Sequence, residues 1–420
     1  MPRPLAELPH PTSLRGRAFW GFCWHVRPAL RSLRQATSPA GPVLDYVAGA
    51  PSPPHKRALV SYLAQPFYAP PDALGRASHS NALQAVAMAQ ALNRLGYSVD
   101  VVDWKDRAFT PARRYDLFLG MQDNFYRLSS LLPKETLRVY YATGAHWAFQ
   151  ETAEDARVAA LRARRGVHLP LPRRLPANTW IEQADAVIVI GNGFTASTYH
   201  AHHPLVLPID NTILPMAPPD EGKDLAEARR HFLLFAGTGL LHKGLDLLLE
   251  AFAGLPDLHL WVCGALHTAE ERAFIGAYPR ELFELPNVHP IGWVDPHAER
   301  FRRLTSRCAF TVLASCSEGM AGGVLACMGQ GLIPIVTRES GIDTDGIGLL
   351  LEGADVQGIR ETLRQAANLP LPEIAERAEG TLAVAHSRYA PETYAQNIER
   401  VLGQIFARRN MAGVYCASGD

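Results

Sequence analysis

From residue 58 onward, short apolar runs alternate with stretches whose apolar residues recur at helical spacing. The runs are Ala58–Leu63, Ser98–Val102, Asp116–Gly120, Arg138–Tyr141 and Ala186–Ile190. After a proline-rich break between Pro204 and Pro219 they resume at Phe232–Ala236, His259–Cys263, Ala309–Ala314 and Ile333–Val336. A strand covered on both faces has no reason to alternate polar with apolar residues. Such runs therefore mark buried parallel strands, and the intervening helices mark βαβ units. Two series predict an α/β protein of two Rossmann-like domains, over 58–215 and 216–390, with parallel sheets facing a cleft where ligands bind. Within one unit, Asn81 reads as an N-cap with Gln84 completing a capping box, and Leu83, Met88, Leu92 and Leu95 form an apolar face. Gly96 suits the helix end. No GxGxxG follows a strand, which argues against classical dinucleotide binding. A last helix, about 391–409, carries Ile398, Val401, Leu402 and Ile405 at a spacing that permits packing on the first domain.

The first 57 residues read differently, as a basic, proline-rich extension. Ser13 to Ala36 holds Arg15, Arg17, Arg27, Arg31 and Arg34 with no acid, interleaved with Phe19, Trp20, Phe22 and Trp24. One reading lays this segment on an anionic membrane surface. The other packs the aromatics on the domain and leaves the arginines in water. Over the whole chain 41 basic and 41 acidic residues cancel, so no global field recruits nucleic acid. The six cysteines lie scattered without a CxxC pair, which suggests neither a zinc site nor a disulfide framework and fits a reducing cytosol. With no stretch of 18 apolar residues and no signal-peptide pattern, a cytoplasmic protein is expected, with peripheral contact at the inner membrane face as an addition.

Two stretches carry the chemistry. In Leu234–Phe252 a strand ends at Gly237, a loop holds Lys243-Gly244, and an apolar helix follows. A lysine after a parallel strand sits at the carboxyl edge of the sheet, where its point charge suits a phosphate; a solvated surface lysine fits the same pattern. In Ala314–Thr337 a strand leads through Ser317-Glu318-Gly319-Met320 to Gly322-Gly323 and a helix. Glycines there admit a ligand to the backbone, and free amides at a helix start favour an anion. Glu318 is placed either to accept from sugar hydroxyls or to cap that helix.

Together these stretches resemble the nucleotide-sugar half of the GT-B glycosyltransferases, in particular the retaining family 4. That family shows a strand, Gly-Arg, then Lys-Gly about five residues later, and a Glu-x7-Glu pattern entering a helix. Gly237 and Lys243 occupy the first pattern with Thr238 at the arginine position; Glu318 opens the second, and Ala326 stands where the other glutamate falls. Pro286–Trp293 resembles the segment between them. The resemblance is strong over 230–345 and looser over 58–215.

The resemblance implies a retaining, metal-independent transfer of sugar from a nucleotide diphosphate sugar, which is a substrate rather than a cofactor. Gly237, Thr238, Lys243, Gly319, Met320, Gly322 and Gly323 would bind the donor, and Glu318 would orient its sugar. His146, following the strand that ends in Tyr141 and Ala142, would contact that sugar as a neutral hydrogen-bond donor, and His79 is an acceptor-side candidate. A lipid-linked or surface-polysaccharide precursor is the expected acceptor. Thr238 and Ala326 keep a second class open, a non-catalytic sugar- or nucleotide-binding protein or the partner subunit of a transferase. An epimerase on the same fold is a third.

Overall fold

The structure, a computed structural model, describes residues 5, 7–23, 41–49, 52–170, 173–268, 271–353 and 355–417. Among these, seven strands form a first sheet: Val43–Tyr46 (β1), Lys56–Tyr62 (β2), Tyr97–Asp103 (β3), Leu117–Gly120 (β4), Leu137–Ala142 (β5), Ala186–Ile190 (β6) and Val206–Ile209 (β7). Six form a second: His231–Phe235 (β8), His259–Cys263 (β9), Val288–Pro290 (β10), Phe310–Leu313 (β11), Ile333–Val336 (β12) and Leu349–Leu350 (β13). The orders are β1-β3-β2-β4-β5-β6-β7 and β10-β9-β8-β11-β12-β13. Every pairing is parallel except β1 with β3.

Each apolar run became a central strand because both its faces are covered, and β4, β6, β11 and β12 are buried at every position. The four strands that the apolar runs did not mark, β1, β7, β10 and β13, are the sheet edges. β7 forms inside the proline-rich break, and Pro208 is tolerated because an edge strand needs only one ladder. β1 is the antiparallel edge, short and half exposed.

Contacts divide the chain into two units. The first sheet's unit comprises 39–146, 177–214 and 388–420; the second sheet's comprises 1–38, 147–176 and 215–387. Helix Trp147–Arg165 lies in sequence within the expected 58–215 domain, yet its contacts belong to the second unit. Buried Arg157 donates to the Ala314 carbonyl at 2.8 Å and meets Asp246 at 3.4 Å, and Arg164 meets Asp246 at 2.6 Å. These charges hold the helix there, so position along the chain did not decide its partner.

Among the described residues of the N-terminal segment, Glu7, Leu8 and Trp20 contact the rest of the chain. Leu8 donates its amide to Pro290 O at 2.7 Å, beside edge strand β10, and Glu7 meets His289 at 2.8 Å. In helix Leu14–Gly21, Trp20 is buried against Phe283 and donates its indole N–H to Pro9 O at 2.8 Å. Thus Trp20 packs on the protein, whereas Phe22 is 50% exposed. Trp24, Arg27, Arg31 and Arg34 lie outside the described residues.

Helix Asn81–Arg94 begins one residue earlier than its sequence suggests, with Ser80 at the cap, so the Asn81–Gln84 box does not form. Gln84 instead turns inward. Its oxygen accepts from Tyr62 at 3.0 Å and Tyr141 at 3.2 Å, and its amide donates to Asn211 at 2.6 Å. The last helix, Pro391–Ala417, joins this network through the Tyr394 hydroxyl, 2.9 Å from that of Tyr141, and through Arg94–Glu399 at 2.6 Å.

Candidate functional site

In the second sheet the chain starts at β8, travels to the β10 edge, then returns to the other side of β8 as β11. Adjacent strands whose connections leave in opposite directions open a crevice beyond their carboxyl ends, the usual ligand site of such sheets. Both chemistry-bearing stretches are the loops at this switch point. The loop after β8 runs to helix Leu245–Phe252, and the loop after β11 runs to helix Gly322–Met328.

Two glycines bring these loops close. Gly244 is left-handed at φ +76°, and a Cβ there would lie 2.1 Å from Ala314 O. A Cβ on Gly323 would lie 2.1 Å from Phe235 O. Cys316 N and Ser315 Oγ both donate to His242 O, at 3.0 and 3.2 Å, and Thr337 Oγ1 donates to Ser315 O at 2.7 Å. The loops are thereby laced into one rigid surface.

On it, Lys243 and Glu318, from different strand ends, meet directly: the Lys243 ammonium donates to Glu318 Oε1, which also accepts from Ser315 Oγ at 2.8 Å. Both residues are 9% exposed, so Lys243 is not a solvated surface lysine. Nor do the described hydrogen bonds of Glu318 include a helix amide; its carboxylate faces Lys243 and Ser315 instead. Burial alone would raise the Glu318 pKa, but Lys243, Arg173 and His242 overcome it and hold the carboxyl well below its ordinary value. Burial likewise lowers the Lys243 pKa, with Glu318 opposing.

Several partners carried no sequence signal. Arg173, from the loop after helix Trp147–Arg165, lies against Gly239, where a Cβ would meet its Cδ at 2.5 Å, and its charge bears on both Lys243 and Glu318. Glu271 is buried and accepts from the amides of Gly239 and Leu240, so an internal carboxylate already engages these two loop N–H groups. Fully buried His242 places Nδ1 2.7 Å from Glu154 and Nε2 3.5 Å from Glu318. Only the three-dimensional return of helix Trp147–Arg165 supplies Glu154, which no local spacing could have announced.

The remaining candidates separate by place. Gly237 and Thr238 are exposed at the end of β8; Gly319 and Met320 lie in the second loop, with Met320 buried; Gly322 and Gly323 open the short helix. Ala326 is buried in an apolar cluster with Leu233, Cys263 and Phe301, so no carboxylate stands at that position. His146 and His79 belong to the first unit. His146 is 4% exposed and stacks on His202 with centroids 3.8 Å apart. Burial and His202 push its pKa down to about 4, leaving a neutral ring at pH 7. His79 is exposed in the loop before helix Asn81–Arg94.

Residues 230–368 match the model of the family described as Glycosyl transferases group 1. The matched stretch contains both loops. Over 160 residues the chain is 30% identical to the lipopolysaccharide core biosynthesis glycosyltransferase LpsE of Rhizobium meliloti (strain 1021), covering 37% of this chain and 45% of that protein. The chain therefore aligns with less than half the length of that curated relative. Among solved structures, the sucrose-phosphate synthase of Thermosynechococcus elongatus has a TM-score of 0.58 at 15% identity, covering 85% of this chain and all of that one. HepE of Anabaena, solved in complex with UDP-glucose, has a TM-score of 0.55 at 14% identity, covering 83% of this chain and all of that one. These two are likenesses of fold, the GT-B class of two Rossmann-like units. No helix among the described residues is long and apolar enough to cross a membrane.

Proposed function

We propose that the chain is a glycosyltransferase that moves a sugar from a nucleoside diphosphate to a saccharide or lipid-linked acceptor, with retention and without a metal. The observation that carries the reading is the meeting of Lys243 and Glu318 at the switch point of the matched sheet. An ammonium and a carboxylate on rigid loops suit the two ends of a sugar diphosphate. Lys243, with Arg173 beside it, offers positive charge to the phosphates, and Glu318 accepts from sugar hydroxyls. In the transfer the acceptor oxygen forms a bond to the anomeric carbon while the bond from that carbon to the diphosphate oxygen breaks. The electron pair leaves with the diphosphate, which takes the acceptor proton on the same face. Neutral His146 is offered as a hydrogen-bond donor to the substrate, and His79 to the acceptor. The complex of HepE with UDP-glucose favours a UDP-sugar, and the name of LpsE favours a lipopolysaccharide-type acceptor.

The test is a thermal-shift panel of UDP-, GDP- and ADP-sugars, followed by release of nucleoside diphosphate from the best binder. Lys243→Ala is expected to weaken nucleotide binding roughly tenfold or more, since a charged hydrogen bond is worth about 1.5–3 kcal/mol. Unchanged calorimetric affinity in a folded variant removes Lys243 as a phosphate ligand. A binding protein without catalysis is the second reading, favoured by the uncharged Thr238 and the apolar surroundings of Ala326. Donor binding with no release of nucleotide, with or without acceptor, selects it.

A further inference from the structure

His242 is a fully buried ionisable group at the switch point that the transfer just described leaves unused. It has no exposure, and its Nε2 has no hydrogen-bond partner. A buried ring nitrogen left without a partner is costly unless it serves something. The carboxylate ahead of it is Glu318 Oε1, 3.5 Å away, inside ion-pair range but beyond a hydrogen bond. On the ring's other side Nδ1 is held by Glu154 Oε1 at 2.7 Å, with Cys316 Sγ at 3.7 Å. The ring thus stands between two carboxylates, anchored to one and just short of the other.

The gap to Glu318 has a reason in what Lys243 is doing. In the structure Lys243 occupies Glu318 Oε1. A diphosphate that draws Lys243 away would leave Glu318 buried and short of its nearest cation, and such a carboxylate takes up a proton. A protonated Glu318 is a poorer acceptor for a sugar hydroxyl. We propose that His242 is a positioning residue that takes over from Lys243 as the counter-charge of Glu318 when phosphate engages the lysine. Glu154 holds the ring ready for this. The inference rests on the transferase reading, which it deepens by giving helix Trp147–Arg165 a part in the donor site.

The electrostatics agree. Burial would lower the His242 pKa, but Cys316, Glu154 and Glu318 raise it to about 10, so the ring is an imidazolium at neutral pH. The groups facing it are Glu154 from helix Trp147–Arg165, Cys316 and Glu318 from the loop after β11, and Lys243 beside it in the chain. Arg173 also bears on Glu318, but it is only partly buried, in a loop, where water weakens its charge.

The experiment has two arms. In the first, ring ¹⁵N shifts of His242 are recorded at pH 8 in the wild-type chain, free and with whichever of UDP, GDP or ADP raises its melting temperature most. Both nitrogens protonated in both states is the expected result, with the Nε2 proton moving further downfield when nucleotide is bound. A neutral ring, or no response to nucleotide, overturns the proposal. In the second arm, His242→Gln is compared with wild type for release of nucleotide from the matching sugar donor between pH 5.5 and 8.5. The variant is expected to lose at least tenfold in kcat at pH 5.5 and less than threefold at pH 8.5, with KM within threefold throughout. A pH-independent loss, or none, overturns it. If the variant does not fold, the first arm decides. A wild type that binds no nucleoside diphosphate removes the transferase reading and this inference with it. A neutral His242 in an active wild type removes this inference alone.

Discussion

Glu318→Gln separates the structural from the chemical role of the carboxylate, because it keeps the shape and removes the charge. In the structure one oxygen of Glu318 serves Lys243, Ser315 at 2.8 Å and His242 at 3.5 Å. Removing one partner of a fully buried ion pair costs about 3–5 kcal/mol. Here the Lys243 side chain keeps 11% exposure and can turn toward water. The expected cost is therefore lower, about 2–3 kcal/mol, or about 4–12 °C in melting temperature for a unit of this size. Turnover should fall further. Loss of a charged hydrogen bond to the sugar, about 1.5–3 kcal/mol, lowers kcat by roughly 10- to 150-fold. Affinity for nucleoside diphosphate should hold or improve, since Lys243 no longer has a carboxylate to leave. Melting temperature, nucleotide titration and donor turnover on one preparation give all three signs. Normal turnover with reduced stability would make Glu318 a structural residue only, and weaker nucleotide binding would refute the competition for Lys243.

Asn287 is buried, and its amide spans the carbonyls of Phe252, Leu255 and Leu258 at 2.9–3.0 Å. Asn287→Ala is expected to lose about 2–4 kcal/mol in urea unfolding, and a loss below about 1 kcal/mol would contradict this. His146 and His259 are each held near pKa 4 against an ordinary 6.5, chiefly by burial. A lowered histidine pKa means that the unfolded chain binds the proton first, so melting temperature should fall as pH drops from 6.5 toward 4. His259→Asn should make that decline shallower, and an unchanged slope counts against it. His242 has the opposite sign: its raised pKa gives stability that is full below 6.5 and lost as pH climbs toward 10, a loss absent from His242→Gln. For the N-terminal segment, replacing Arg15, Arg17, Arg27, Arg31 and Arg34 with Gln should end salt-sensitive sedimentation with anionic vesicles. Equal sedimentation of both proteins would discard membrane docking.

The apolar runs alone determined the two-sheet α/β organisation, because a strand buried on both faces must be apolar at every position wherever it lies. The loops after β8 and β11 were legible for a related reason. A lysine or glutamate just past a parallel strand, among glycines, has to stand at the carboxyl edge of the sheet. Other features depended on contacts distant in sequence. The edge strands β1 and β7 form because a neighbour offers a ladder, and their own residues ask for little. Gln84 looked like half of a capping box until Tyr62, Tyr141 and Asn211 gave its amide better partners. Helix Trp147–Arg165 reads as one more amphipathic helix of the first series. Contacts from Arg157, Arg164 and Glu154 to Asp246, Ala314 and His242 attach it to the second unit instead. That attachment also decides the charge of His242. A histidine's protonation follows from the carboxylates within a few ångströms of its ring, and Glu154 is 88 residues away along the chain.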